Sequence, residues 1–226
     1  MIKKFKFGLL LFILSFAASY FAFGQDILID DFTKGGSPIL AYQSGVHENH
    51  YSGDPAHLIG GDRDFVVKAD LNALNQISTF QFRPDPSPAG LSAYIHNAAF
   101  YSSPRTEICY GCGGTRLHLD LSSYRDDPNG VVRFRFKGLS EVLNLNILLF
   151  TGGRYAAAGC NILAYPGEFV FDVPFSKFVN YGADFADITS MTFITQNGSP
   201  IGAVEFGLSS ITISNTPYGG AFQCHA

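Results

Sequence analysis

From Ile27 onward the apolar side chains recur at every second position, and this period of two constrains the fold more than any other feature of the chain. Val132, Phe134 and Phe136 interleave with Arg133 and Arg135, and Leu143, Leu145, Ile147 and Leu149 interleave with Asn144 and Asn146. Phe169, Phe171 and Val173 alternate with Val170 and Asp172. Val204, Phe206 and Leu208 alternate with Glu205 and Gly207 before Ile211 and Ile213 complete the series. Successive side chains of a strand point to opposite faces, so each run predicts a half-buried strand. Asp127-Pro128-Asn129-Gly130, Thr151-Gly152-Gly153, Tyr165-Pro166-Gly167 and Asn197-Gly198-Ser199-Pro200 supply the positive or fixed φ that reversals need. Many short strands between such turns predict an all-β fold with little helix: a two-sheet antiparallel β-sandwich of jelly-roll type. No internal repeat or low-complexity tract interrupts the pattern.

The first segment departs from this rhythm. Lys3, Lys4 and Lys6 precede an apolar run from Phe7 to Phe23, and Ala22-Phe23-Gly24 offers the small-x-small pattern that a signal peptidase accepts. Residues 1–24 are therefore expected to be a secretory signal peptide cut before Gln25, leaving residues 25–226 as a single β-sandwich domain. The run is near the lower length limit for spanning a bilayer, and no later stretch is long and apolar enough to cross one, so no membrane insertion of the mature chain is expected. The residue directly after the cut is Gln25 and not Cys, which disfavours a lipid anchor. The destination is secreted or periplasmic. With the three leader lysines removed, the 15 Lys and Arg against 19 Asp and Glu become a net charge of −7, a balance that argues against nucleic acid as a partner.

The chain holds four cysteines, Cys109, Cys112, Cys160 and Cys224. In an exported chain an even count points first to disulfides, with three connectivities open. A Cys109–Cys112 bond would close a very short loop, whereas Cys160–Cys224 would tie the C-terminal tail to the body. Cys109-Tyr110-Gly111-Cys112 also has the spacing of a redox dithiol. Gly113-Gly114 follows it, however, where such a site wants a helix N-terminus, and no second Cys-x-x-Cys completes a zinc site.

The order of several segments resembles a family of exported bacterial β-sandwich proteins. They are Leu28-Ile29-Asp30-Asp31-Phe32, Gly60-Gly61-Asp62-Arg63, Leu119 to Tyr124, Asn144-Leu145-Asn146-Ile147, Phe171 to Phe178 and Asp184 to Ile188. More distantly the chain is similar to galactose-binding-like jelly rolls, including the complex I intermediate-associated family and the family-11 carbohydrate-binding modules. The resemblance spans nearly the whole mature chain and implies the galactose-binding-like variant of the sandwich. The matched segments are strand hydrophobes and turn residues, whereas ligand sites in such folds sit on variable loops. The chain has no Trp, so flat sugar platforms would have to come from its 11 Tyr and 22 Phe.

Catalytic motifs fail on spacing. His47-Glu48-Asn49-His50 places its histidines three apart where the zinc-protease signature needs four on a helical face. A loop metal site from His47, His50 and His57 is the alternative to a solvated polar loop. No Gly-x-Ser-x-Gly elbow and no phosphate-cradling loop is present. Asp30-Asp31, Asp62 with Asp64, Asp126-Asp127 and Asp184 with Asp187 could offer hard oxygens to Ca²⁺. None has the EF-hand register and each reads first as a turn or cap, so the expectation is no cofactor, with Ca²⁺ the one ion that the resemblance leaves open. Candidate ligand-binding residues cluster at the turn carrying His50, Tyr51, Asp62 and Arg63 and at the stretch from Tyr94 to Tyr101, because Tyr combines contact area with a hydrogen-bonding tip. The leading expectation is an exported non-catalytic module binding a glycan or other extracellular ligand. The alternatives are a self-associating structural or adhesive surface protein, and a jelly-roll polysaccharide lyase or hydrolase working through Tyr51, His50 and Arg63.

Overall fold

The runs with a period of two become the strands of two stacked sheets. The computed structural model describes residues 26–34, 39–41, 45–69, 78–86, 89–97, 105–198 and 203–224; residues 1–24, expected to be a signal peptide, and Tyr101 lie outside them. The first sheet runs, neighbour to neighbour, β2 (Ile39–Ala41), β5 (Ser78–Pro86), β6 (Ala89–Asn97), β14 (Val204–Ser214), β8 (Val131–Leu139), β11 (Phe169–Pro174) and β15 (Phe222–Gln223), with β1 (Ile27–Asp30) also paired to β14. The second runs β3 (Gly45–Ser52), β4 (Asp62–Ala69), β7 (Arg105–Tyr110), β13 (Ser190–Asn197), β9 (Leu143–Thr151), β10 (Arg154–Ile162) and β12 (Val179–Tyr181). Among the described residues the strands pair antiparallel except for the short parallel pairing of β11 with β15, and an isolated parallel bridge joins Tyr155 to Gly182. The architecture is the two-sheet antiparallel sandwich expected from the alternation. Among the described residues, helix is confined to α1 (Ser122–Asp126) and two single 3-10 turns.

Local chemistry explains the reversals. Thr151 and Arg154 face each other across the two-residue turn Gly152-Gly153, whose φ values of 52° and 82° suit the hairpin between β9 and β10. At Gly130 a Cβ would stand 1.7 Å from the Tyr124 carbonyl oxygen, so only glycine fits where α1 leads into β8. β10 lacks a strong apolar alternation, because its inward positions Ala156, Ala158 and Cys160 are small.

Inward side chains from both sheets interlock. Phe134 of the first sheet meets Phe193 of the second edge to face at 5.4 Å, and Tyr110 meets Phe193 at 5.8 Å. Phe136 stacks on Phe169 at 4.8 Å. Such aromatic pairs add to the area they bury.

One charged cluster lies inside this core. Arg63 of β4 is 1 % exposed and Asp30 of β1 is 1 % exposed. Arg63 donates from Nη1 to Asp30 Oδ2, and from Nη2 to the Lys34 carbonyl at 2.8 Å. Tyr110 donates its hydroxyl to Asp30 Oδ2 at 2.8 Å, and the Phe32 amide donates to Oδ1 at 2.7 Å. The guanidinium lies over the rings of Phe65, Tyr51 and Phe32, 4.9 to 5.4 Å from their centroids. Burial pushes the Asp30 carboxyl above the usual carboxylate range even against Arg63, and it raises the Tyr110 phenol well above its ordinary value. Arg63, expected at a recognition turn, therefore ties β1 to β4 and β7. Alternation along β4 turns it inward while its neighbours Asp62 and Asp64 turn outward.

The cysteines pair as Cys109 with Cys112 and Cys160 with Cys224. The second bond joins β10 of the second sheet to the residue that follows β15 of the first.

Two stability outcomes follow. Arg63→Ala leaves the Asp30 carboxyl buried without its cation and should cost about 3–5 kcal/mol in urea unfolding, against less than about 0.5 kcal/mol for the exposed control Arg154→Ala. Cys160→Ser with Cys224→Ser opens a loop with a sequence separation of 64 and should lower stability by roughly 4 kcal/mol in the chain-entropy model, read as a lower urea midpoint than the parent.

Candidate functional site

Strand register places the outward side chains of the second sheet in rows. On β9 and β10, Asn144 faces Asn161, Asn146 faces Gly159, Leu148 faces Ala157 and Phe150 faces Tyr155. On the other side of β9, Gln196 of β13 faces Asn144 and Ile194 faces Asn146. The rows continue onto β7 and β4, where Arg105 faces Gln196 and Lys68, and Glu107 faces Ile194 and Val66.

The outer face is thereby split by charge. Over β7, β4 and β3 it is ionic: Lys68 donates to Glu107 at 2.9 Å, and Arg105 lies 2.7 Å from the same carboxylate. Over β9, the near edge of β13 and the outward positions Tyr155, Ala157, Gly159 and Asn161 of β10 it is neutral. A groove of about 1330 Å³ is lined by Asn144, Asn146, Asn161 and Gln196 of the second sheet together with Tyr165 and the tail residues Phe222 and Gln223. None of its lining residues is charged. The volume exceeds the roughly 300–1,000 Å³ of a typical small-molecule pocket and suits a longer ligand.

Two glycines shape the floor. A Cβ at Gly159 would stand 3.0 Å from Asn146 Oδ1, and one at Gly198 would stand 3.1 Å from Asn144 Oδ1, so both carboxamides owe their room to a missing side chain. Among the described residues, the side chains of Asn144, Asn146, Asn161 and Gln196 make no hydrogen bond to the protein. Their donors and acceptors are left for solvent or ligand. The aromatic bank is held from behind: Tyr165 and Phe222 lie 5.4 Å apart and both pack against Phe169. The Cys160–Cys224 bond pins the tail beside β10.

The residues picked out from sequence fall elsewhere. His50 and Asp62 do meet, at the far end of the same face on β3 and β4. His50 Nδ1 lies 2.6 Å from Asp64 Oδ1 and Nε2 lies 3.0 Å from Ser52 Oγ, whose hydroxyl donates to Asp62 Oδ1 at 2.6 Å. The hydrogen bond to Asp64 raises the His50 pKa above 6.5, and the hydrogen bond from Ser52 lowers that of Asp62. Ser52, His50 and Asp64 have the sequence of contacts of a nucleophile relay, but the Ser52 proton is directed to Asp62. The set holds the His50 ring between two carboxylates, and the Ser52 hydroxyl donates to Asp62 and not to the ring.

Tyr51 points the other way on β3, its ring over Arg63 inside the sandwich. Arg63 is buried and cannot meet a ligand at the surface, because its charge is spent on Asp30. Tyr94 lies on β6 of the first sheet, opposite Gly207 of β14, so the structure does not bring it to the sheet that carries His50. Tyr101 lies outside the described residues. His57 bonds Asp31 at 2.6 Å, while His47 and His50 stand on opposite faces of β3. Among the described residues no three His, Cys, Asp or Glu side chains gather as a metal-binding group. Asp31, Asp127 and Asp184 accept backbone amides two residues on, and Asp126 pairs with Arg125.

The sequence reading passed over Asn144, Asn146, Asn161, Gln196, Tyr165 and Phe222. The signal for two of them was present: the Leu-Asn-Leu-Asn alternation buries leucine and so must expose both carboxamides on one face.

In an NMR titration, the His50 imidazole should show a midpoint above the unperturbed value of about 6.5, and Asp64→Asn should bring it down. Because the folded pKa is raised, the contribution of this contact is fully present below the unfolded pKa and is lost as pH rises through the folded one. A midpoint at or below 6.5 in the parent would contradict the geometry.

Neither a family model nor a curated protein matches the chain. Among solved structures, it is similar to the family-11 carbohydrate-binding module of the cellulosomal cellulase Lic26A-Cel5E of Clostridium thermocellum. That match has 11% identity and a TM-score of 0.45, covering 89% of this chain and 98% of that one. It is also similar to the family-30 carbohydrate-binding module of the cellulosomal cellulase Cel9D-Cel44B of the same organism, with 13% identity and a TM-score of 0.46 over 79% and 97% of the two chains. An agarase matches at 14% identity and a TM-score of 0.41, over 62% of this chain and 22% of its own. The family-11 likeness read from sequence is thus met again among structures, at a level too low to bear on function, and the fold rests on the strand pairing itself.

Proposed function

We propose that the chain is an exported, non-catalytic module that holds a neutral glycan in the carboxamide groove of its second sheet. The observation that carries this reading is the composition of the groove: carboxamides together with aromatic rings, and no charged side chain. A sugar hydroxyl both donates and accepts, and a carboxamide does the same through its NH₂ and C=O, so the two chemistries match without a net charge on either side. The CH faces of a sugar ring need flat apolar surface, which Tyr165 and Phe222 supply at 40% and 48% exposure. An anionic polymer would find no cation in the groove, and a cationic ligand would find no carboxylate.

Export is supported by the leader-like first segment and by two disulfides, which persist in oxidising compartments. The His50 network does not favour an enzyme, since its hydroxyl proton is committed to Asp62.

Affinity electrophoresis of the mature protein through gels containing neutral polysaccharides (β-glucans, xylan, mannan, galactans) or anionic ones (pectate, alginate) tests the reading. Retardation is expected in at least one neutral gel, persisting at high salt because no ion pair forms. Asn144→Ala with Asn161→Ala should weaken it about tenfold, since each lost hydrogen bond is worth roughly 0.5–1.5 kcal/mol. Free migration through every neutral gel, or retardation that salt abolishes, would overturn it.

A further inference from the structure

The groove is one end of a longer uncharged track. Outward positions of β10 run Tyr155, Ala157, Gly159, Asn161, and those of β9 run Phe150, Leu148, Asn146, Asn144, with each pair in register. None of the eight is charged. Tyr155 and Asn161 are six positions apart on one strand, which places them roughly 20 Å from each other at about 3.3 Å per residue. Between them, Ala157 and Gly159 are the smallest side chains available, so the middle of the track is low and open on β10.

At the far end three rings gather. Tyr155 lies 4.8 Å from Tyr181 of β12 and 6.0 Å from Phe150, centroid to centroid. Tyr155 is 38% exposed and Tyr181 is 56% exposed, beside Val179 at 57%. Neither ring is needed to cover the core, which β10 fills from its other face with Ala156 and Ala158. Val179 stands opposite Ala157 and so continues the same outward row onto β12.

We infer that Tyr155 and Tyr181 form a second, aromatic subsite, and that the ligand is a neutral polysaccharide chain lying along β9 and β10 from this platform to the Asn144–Asn161 pair. This rests on the reading of the groove as a glycan site and adds to it the polymer class, a length requirement and the direction in which the chain runs. A ligand that contacts both ends must be an extended stretch of several sugar units and not a monosaccharide or a chain terminus alone. Aromatic faces at one end and carboxamides at the other also give the two ends different tasks. Stacking at Tyr155 and Tyr181 supplies area with little regard to hydroxyl configuration, and the carboxamide row reads hydroxyls.

Calorimetric titration with cello-, laminari-, xylo- and manno-oligosaccharides, from disaccharide to octasaccharide, tests this. In the series that binds, affinity of the parent protein should climb with length up to chains able to reach both ends. Tyr155→Ala with Tyr181→Ala should reduce that climb about tenfold, the size expected for losing a buried aromatic contact. Tyr155→Phe with Tyr181→Phe keeps the rings and should restore the climb, which separates stacking from any general loss of structure. If the alanine pair binds the octasaccharide as tightly as the parent does, or if the parent shows no length dependence, the aromatic subsite is overturned while the groove stands. If the parent binds no oligosaccharide of any series, the groove reading fails and the subsite with it.

Discussion

A guanidinium and a carboxylate inside the sandwich impose the strictest condition on its geometry. Buried charges cost several kcal/mol each unless they are paired and hydrogen-bonded, so Arg63 and Asp30 must meet, and β1, β4 and β7 must be placed for them to do so. The consequences extend to the surface. With Arg63 and Phe65 held inward on β4, Asp62 and Asp64 must face out, where they take His50 between them. With Tyr110 and Ile108 inward on β7, Glu107 and Arg105 must face out beside Lys68. The ionic half of the outer face is the complement of the buried pair.

The neutral half has a different origin. Strands β9 and β10 fill the core with Leu143, Leu145, Ile147 and Leu149 on one side and small residues on the other, and their outward positions carry amides, glycine and rings. A Cβ at Gly159 would crowd the Asn146 carboxamide, so the missing side chain there leaves that carboxamide its room in the groove. The wall is supplied from the other sheet. β15 is only two residues long and its parallel pairing to β11 would hold little by itself; the Cys160–Cys224 bond anchors it, and with it Phe222, next to β10. Fold stability and site geometry therefore share one covalent link.

Much of the scaffold was legible in the chain. The runs around Phe134, Leu145, Phe171 and Phe206 became β8, β9, β11 and β14, and the Gly152-Gly153 turn reverses the chain between β9 and β10. β10 escaped because alanine and cysteine carry little hydrophobic contrast against glycine and asparagine. The site was less legible. The patches His50-Tyr51 and Asp62-Arg63 join neighbours in a strand, which look in opposite directions, so Arg63 lies in the core with the half-buried Tyr51 against it while His50 and Asp62 stand on the outer face.

What the sequence determined alone is the period of two, and with it the strands, their buried faces and the exposure of Asn144 and Asn146, because alternation is local and a strand has only two sides. Only the tertiary structure decided which strands stand side by side. Asn161, Gln196, Tyr165 and Phe222 come from four separate segments, and no local preference says that β9 should lie between β10 and β13 or that the tail should return to β10. Those pairings are settled by how the whole set of apolar faces, one buried ion pair and one disulfide can be satisfied together, a non-local condition that leaves no trace in the spacing of residues along the chain.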